Sequence, residues 1–451
     1  MSRSTNSLVV FENIPKYWQV LKLRQILSPF SEKNHPEMPL LSVVREKGVI
    51  VRNIKDKEEN HNYVPDDLSG YKLVKHGQFA MNKMKAWQGS YGISKYDGIV
   101  SPAYFVFDVR YDMNLDFFNK AIRSKAYVNY FGQASDGIRV GQWDLSIQRM
   151  KEIPFLLPPR DEQDQIVRFL DWKISEINKL ISVKQKQIDT LKEKLLAIIN
   201  EYVLHGICEN YTCKKTDMDW APEIPCNWTT SRIRNHFEIL KRIAGKEGFD
   251  VFSVTQQGLK VRDINVFEGQ LAASYAGYQF IYPGEFAMNH MDLLTGGVGI
   301  ADHLGVTSPD YRVFKLFDTD HCYAPYYLKI FQICYRRHAF YRFGRGAANV
   351  GRWRLPAGAF KRFEIPLPPY EEQVKIVEAI EQEERKTQEA LDCLQREIEV
   401  LKELKVRLIV DVVTGKLNTR DIAIPEFEYV EEVTENESIL DNSDESEVRE
   451  D

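Results

Sequence analysis

Pro158-Pro159-Arg160-Asp161-Glu162-Gln163 opens a long segment of helical apolar periodicity that closes at Leu204-His205-Gly206. The arrangement returns at Pro368-Pro369-Tyr370-Glu371-Glu372-Gln373 and closes at Thr414-Gly415. Proline suits the first helical position, where its missing N–H costs nothing. Asp161, Glu162, Glu371 and Glu372 suit the positive end of the helix dipole. Gly206 and Gly415 suit the left-handed C-terminal cap. Each stretch therefore predicts one helix of about 40 residues, roughly 60 Å at 1.5 Å per residue.

The apolar spacing inside these helices says what they pack against. In the first, Ile166, Leu170, Ile174, Ile177, Ile181, Ile188, Leu191, Leu195 and Ile198 step by three and four, with Lys184 the one break. In the second, Ile376, Ile380, Leu391, Leu394, Ile398, Leu401 and Leu408 do the same, more weakly near Glu383 and Thr387. Steps of this kind form a coiled-coil seam.

Working outward, the whole chain is duplicated. Ile14-Pro15-Lys16-Tyr17-Trp18 aligns with Ile224-Pro225-Cys226-Asn227-Trp228, and Val51-Arg52 with Val261-Arg262. Phe79-Ala80-Met81-Asn82 aligns with Phe286-Ala287-Met288-Asn289, and Val140-Gly141-Gln142-Trp143 with Val350-Gly351-Arg352-Trp353. Each repeat is a globular part followed by a rod. Short apolar runs bounded by Gly, Pro, Asn and Asp predict strands at 40–44, 48–51, 98–107, 252–255 and 311–317. Helical patterning lies near 115–127 and 325–341. The expected fold class is α+β. Two mixed α/β domains are joined by two long helices, which form an antiparallel coiled coil with pseudo-two-fold symmetry. The antiparallel sense follows from connectivity: the first helix leads away from the first domain, and the second must return.

Composition sets the outer bounds. A chain of 451 residues, 43% hydrophobic and 28% charged, has the make-up of an ordinary soluble protein. No apolar run approaches the length of a membrane span, and the polar N-terminus does not read as a signal peptide. The six cysteines form no zinc-binding spacing, and they read as reduced thiols in a cytoplasmic protein. The net charge of −5 hides an asymmetry. Residues 425–451 carry twelve acidic residues and one arginine, which leaves residues 1–424 at +6. Such a tail is expected to be disordered and solvating. A nucleic-acid mimic covering a basic surface is the other reading.

Catalytic motifs are absent: there is no P-loop, GxSxG, HExxH or dinucleotide GxGxxG. Leu367-Pro368-Pro369-Tyr370 has no amide or carboxylate to hold a target amino group, so it reads as a helix entrance. What remains is binding chemistry. Arg and Lys neutralise phosphates or pair with guanine, while Asn and Gln pair with adenine. In the first repeat the candidates are Arg45, Lys47 and Arg52; Lys83, Lys85, Gln88 and Tyr91; and Arg139 and Gln142. In the second they are Gln256, Gln257, Lys260 and Arg262; His290; and Arg342, Arg345 and Arg352. The last group lies in a run that also holds Arg336, Arg337 and Arg354, interleaved with Tyr335, Tyr341, Phe343 and Trp353. Residues shared between repeats, such as Asn82/Asn289 and Trp143/Trp353, read as serving the common fold. Those that differ, such as Lys83/His290 and Gln142/Arg352, are candidates to read different bases.

The duplicated Ile-Pro-x-x-Trp, the Ile-Pro-Leu-Pro-Pro-x-Glu-Glu-Gln block at 365–373 with its looser copy at 154–163, and the two long helices resemble the specificity subunit of type I restriction-modification systems. The resemblance implies target recognition domains at 1–157 and 207–367, spacer helices at 158–206 and 368–416, and an acidic tail at 417–451. It implies a non-catalytic subunit that binds a bipartite, asymmetric site on double-stranded DNA. It also implies docking of modification (methyltransferase) subunits, which bind S-adenosylmethionine, and of restriction subunits, which use ATP. This chain would hold neither cofactor, and no metal site is expected. A coiled-coil scaffold joining two protein-binding domains is the competing reading.

Overall fold

The computed structural model describes residues 11, 14–52, 65, 67–139, 142–208, 212–263, 274–346 and 353–431, with the side chains of 138, 139 and 142 outside that description. The chain divides into two compact units, residues 1–186 with 394–451, and residues 187–393. The long helices, Arg160–His205 and Tyr370–Val413, therefore do not stand as separate domains. Each lends one half to each unit.

Within the first unit the helices are antiparallel. Asn178 meets Lys405, and Lys184 meets Glu397, so one number rises as the other falls. The seam is driest where the helices meet a globular core. Ile166 and Leu170 are buried there with Val412 and Val413. In the second unit Ile199 and Val203 are buried with Ile376, Val377 and Ile380. Complete burial of such side chains stabilises by about 1.5–3 kcal/mol each. The break at Lys184 is met by Glu397 at 2.5 Å, with both partly exposed. A pair of that kind contributes about 0–1 kcal/mol, so it marks register more than it adds stability.

Both helix ends behave as their residues require. Gly206 and Gly415 have φ of +81° and +75°, the left-handed region that glycine enters without strain. A tryptophan backs each cap. Trp18 lies against Gly415 and donates its indole N–H to Glu162 at 3.2 Å. Trp228, fully buried, lies against Gly206.

The two globular parts share one plan. In the first, a four-stranded antiparallel sheet runs in the order Leu27–Phe30, Tyr104–Val109, Phe79–Asn82, Tyr91–Ile93. In the second the order is Phe237–Leu240, Arg312–Leu316, Phe286–Met288, Val298–Ile300. One face of each sheet packs on helices, Leu115–Ile122 and Lys125–Gln133 in the first and Ala324–Arg336 in the second. The aromatic residues of the duplicated Phe-Ala-Met-Asn, Phe79 and Phe286, are wholly buried there. A pairing of Gln19–Lys22 with Pro154–Leu157, and of Thr229–Arg232 with Glu364–Leu367, closes each globular part just before its helix.

The glutamine that ends each Pro-Pro block fastens helix to domain. Gln163 accepts the backbone N–H of Asn114 at 2.8 Å and donates to the Pro158 carbonyl at 2.9 Å. Gln373 accepts that of Tyr323 at 2.8 Å and donates to the carbonyls of Pro368 and His321. Asn114 and Tyr323 both cap the domain helix that follows, so the same bond is built twice.

The expectation for residues 417–451 needs correction over its first part. Arg420 pairs with Glu162 at 2.7 Å, and Gln165 donates to the carbonyls of Thr419 and Ile422. Asn178 donates to the Val430 carbonyl, and the Val430 N–H donates to Ser175. Residues 417–431 thus form a strap along the first long helix, because that helix offers side-chain partners to backbone that would otherwise need water. Residues 432–451 lie outside the described residues.

Candidate nucleic-acid interface

In the first unit the candidate stretches converge. Arg45 and Lys47 sit exposed on the tip of the Leu41–Val44/Gly48–Val51 hairpin. The tip is clamped by Arg123, at the end of helix Leu115–Ile122. Its guanidinium donates to the carbonyls of Tyr91 at 2.7 Å, Arg45 at 3.0 Å and Glu46 at 2.6 Å. Gly48 lets it approach, since a Cβ there would lie 2.5 Å from the guanidinium. Tyr91 ends the loop that carries Lys83, Lys85 and Gln88, so one half-buried cation joins two candidate stretches. A third joins through Trp87, whose ring lies 5.2 Å from that of Trp143, and through Lys83, paired with Asp144 at 2.8 Å. Trp143 and Asp144 belong to the strand Gln142–Leu145, paired with Ser135–Arg139. The side chains of Arg139 and Gln142 lie outside the described residues. Arg52 lies beyond the far end of the hairpin, with its N–H on the Leu40 carbonyl.

The second unit uses the same frame with other side chains. Gln256 and Gln257 form the two-residue tip between Val251–Thr255 and Gly258–Val261, with Gly258 at φ +120°. The tip rests against Gly297, where a Cβ would lie 2.1 Å from the Thr255 carbonyl, so only glycine permits the contact. Gln256 donates to the Thr295 carbonyl at 3.3 Å, and Lys260 to Gln257 at 2.8 Å. The loop after Asn289 meets the arginine-rich run through the His290 carbonyl, which accepts the Leu355 N–H at 2.9 Å. Arg345 and Arg354 bond each other's backbone in both directions, closing the loop between them, and Tyr341 stacks on Trp353. Arg342, ion-paired with Asp219, and Arg345 are exposed; Arg352 lies outside the described residues. Arg262 flanks the hairpin, with its N–H on the Val251 carbonyl.

Two candidates are removed from the surface. Tyr91 is fully buried against Phe131, ring centroids 4.3 Å apart, and burial pushes its phenol pKa up. Its contribution is its carbonyl, not its ring. His290 is buried too. Desolvation, with Arg312 and Arg354 nearby, pushes its pKa down to about 3, so it is neutral and cannot neutralise a phosphate. Arg336 and Arg337 are exposed at the end of helix Ala324–Arg336. Arg337 donates to the Trp220 carbonyl, and desolvation lowers the pKa of Arg336, with Glu384 opposing.

Two arginines that position these loops escaped the sequence reading. Arg123 falls opposite Gln332 when the helix caps Asn114 and Tyr323 are aligned. Arg312 falls opposite Phe105, since they pair with the matching Met288 and Met81. Arg312 is buried over the Phe360 ring, donates to the Leu355 carbonyl at 2.7 Å, and has its pKa pushed down to about 10 by desolvation. For Arg312 the available signal was a charged residue in one repeat matching an apolar one in the other. The shared residues, by contrast, are scaffolding. Asn82 and Asn289 each accept an N–H two residues on, from Met84 and Met291.

The architecture is a duplication: two loop clusters on a common frame, each fastened to a long helix. Comparison with known proteins agrees. Residues 262–400 match the family described as "Type I restriction modification DNA specificity domain". A type I restriction enzyme MjaX specificity subunit of Methanocaldococcus jannaschii is 23% identical over 62% of this chain. That match spans 63% of the relative's own length. A solved chain from work on assembly and conformational transition of the type I R-M system has the same fold. Its TM-score is 0.60 at 13% identity, over 90% of this chain and 99% of that one. An HsdS subunit from Thermoanaerobacter tengcongensis aligns at TM-score 0.49 and 14% identity, over 90% and 98%. The chain is thus similar to type I specificity subunits over the matched residues, and it shares the fold of that solved type I chain. No helix among the described residues is long and apolar enough to cross a membrane.

Proposed function

We propose that this chain is the DNA-recognition subunit of a type I restriction-modification complex, each unit reading one half of a bipartite, asymmetric duplex site. The observation that carries this reading is that loops far apart in sequence come together in each unit on one frame, with different side chains. Lys83 and Asp144 in the first unit stand where neutral His290 and Arg354 stand in the second, so two half-sites of different sequence are expected. Phosphate contacts by Arg45, Lys47 and Arg345 would supply salt-dependent affinity. Arg139, Gln142 and Arg352 remain candidates to read bases.

The long helices act in this reading as a spacer and a dock. On the flank of the coil within the first unit, Leu180, Val183, Val400 and Leu404 are between 50% and 62% exposed. Heptad geometry puts the four on one side, since each lies one residue before a seam position and the helices are antiparallel. Such a patch suits a modification subunit, which would bring S-adenosylmethionine, while a restriction subunit would bring ATP.

The test is mapping of methylated adenines in cells that supply the modification partner, with and without this chain. The expected result is one bipartite motif that depends on the chain. Inserting one heptad in both long helices should lengthen the spacer and leave both half-sites intact. Methylation that ignores the chain, or a spacer unmoved by the insertion, overturns the proposal.

A further inference from the structure

A cluster of metal-binding character sits where the second globular part joins its long helix. His236, Asp318 and Cys322 place one donor atom each within 4.8 Å of one another, and His236 and Cys322 are buried. Asp318 and Cys322 are four residues apart, and the fold brings His236 to them from 82 residues away.

The duplication supplies an internal control. The backbone N–H of Phe317 bonds the His236 carbonyl as that of Arg110 bonds the Ile26 carbonyl. Cys322 precedes the helix-capping Tyr323 as Met113 precedes Asn114. The first unit therefore builds the same corner with buried Ile26 and Met113. The fold does not need polar donors there, yet the second unit has them, at the expense of burying an imidazole and a thiol. Burying such groups is tolerated only where they are partnered, and here Asp318 and Ser231 hold the two ring nitrogens of His236.

The surrounding bonds fit a cation. Ser231 Oγ lies 2.8 Å from His236 Nε2 and already accepts from Asn235, so it is placed to accept Nε2–H as well. His236 Nδ1 and Asp318 Oδ2 lie 2.6 Å apart and share a proton, which a metal ion would displace while parting the two atoms. The other oxygen of Asp318 is held by His321 at 2.8 Å. Ligating imidazole and carboxylate commonly carry such outer partners. Imidazole nitrogen, thiolate sulfur and carboxylate oxygen together suit zinc, with water or solvent completing a tetrahedron.

We propose that His236 Nδ1, Cys322 Sγ and Asp318 Oδ2 bind one zinc ion, which staples the 318–322 loop to the strand at 237–240. Zinc takes the thiolate, so binding releases one proton from the Cys322 sulfur as the zinc–sulfur bond forms. The loop so fixed is the one that Gln373 grips through the His321 carbonyl and the Tyr323 N–H. The ion would therefore stiffen the joint between the second recognition part and its helix.

The test uses untagged full-length chain with the exposed Cys208, Cys213, Cys226 and Cys393 changed to Ser, stripped of metal and titrated with Co²⁺. One equivalent should give tetrahedral ligand-field bands and a thiolate charge-transfer band, both displaced by Zn²⁺. Cys322→Ser should weaken binding by at least about 100-fold, and Ser231→Ala by about tenfold. Cys322→Met, copying the first unit, guards against a folding defect and should behave like Cys322→Ser. Absence of the thiolate band from the parent chain, or its survival in both Cys322 variants, overturns the proposal and leaves a hydrogen-bonded histidine–aspartate pair. DNA recognition is not a readout here, so failure of this site is separable from failure of the proposed function.

Discussion

Gln373 holds the backbone N–H of Tyr323 at 2.8 Å, and this one bond ties the first turn of a long helix to the helix of the recognition part. Both glutamines of the duplicated Pro-Pro blocks are buried, Gln373 completely. Removing the amide strands a buried donor and acceptors, which costs about 1–3 kcal/mol for each unsatisfied group. Gln373→Leu should destabilise the second unit and Gln163→Leu the first. Hydrogen exchange, read unit by unit, should show loss of protection confined to the altered unit. Equal loss in both would mean the glutamines do not act locally.

Arg123 is a positioning residue for the hairpin tip bearing Arg45 and Lys47. Arg123→Lys keeps the charge but cannot bridge three carbonyls with a planar fork. Binding to duplexes with a scrambled second half-site should fall several-fold, while duplexes with a scrambled first half-site should bind as before. A uniform loss would point to a global folding defect.

Arg345 is exposed on the closed loop of the second unit. Arg345→Ala should weaken binding across sequences and reduce the salt slope of log K by about one, as expected for a lost phosphate contact. An unchanged salt slope would remove it from the interface.

His290 makes a pH prediction. Its folded pKa, about 3, lies below the ordinary 6.5, so protonation favours the unfolded chain. The stability of the neutral form is complete above pH 6.5 and is lost progressively as pH falls from 6.5 towards 3. His290→Gln should flatten that part of the denaturation-midpoint curve. Superimposable pH profiles would show that the histidine is not held neutral.

The strap predicts a sharp boundary in truncations. Ending the chain after Glu431 should leave stability and sequence preference unchanged. Ending it after Lys416 removes Arg420 from nearly buried Glu162 and uncovers Asn178, Ser175 and Gln165. An uncompensated buried carboxylate is costly, so the melting temperature of the first unit should drop by several degrees. An equal melting temperature for both truncations would discount the strap.

The legible part of the interface was its chemistry by stretch. Arg45, Lys47, Gln256, Gln257, Arg342 and Arg345 all sit on surface loops because charge and amide groups resist burial. Tyr91 and His290 misled for the converse reason: an aromatic ring or imidazole is content in either setting, and only its neighbours decide.

The sequence alone determined the duplication, the long helices and their caps. These are local effects: apolar periodicity, a proline that fits one end, and a glycine that fits the other. Tertiary structure alone decided which distant groups share a site. Arg123 reaching the 45–46 tip, the strap on the first long helix, and His236 meeting Asp318 and Cys322 all depend on sheet order and on chain crossings. Such contacts leave no periodic trace, because burial and pairing are fixed by the packed neighbours rather than by residues adjacent in the chain.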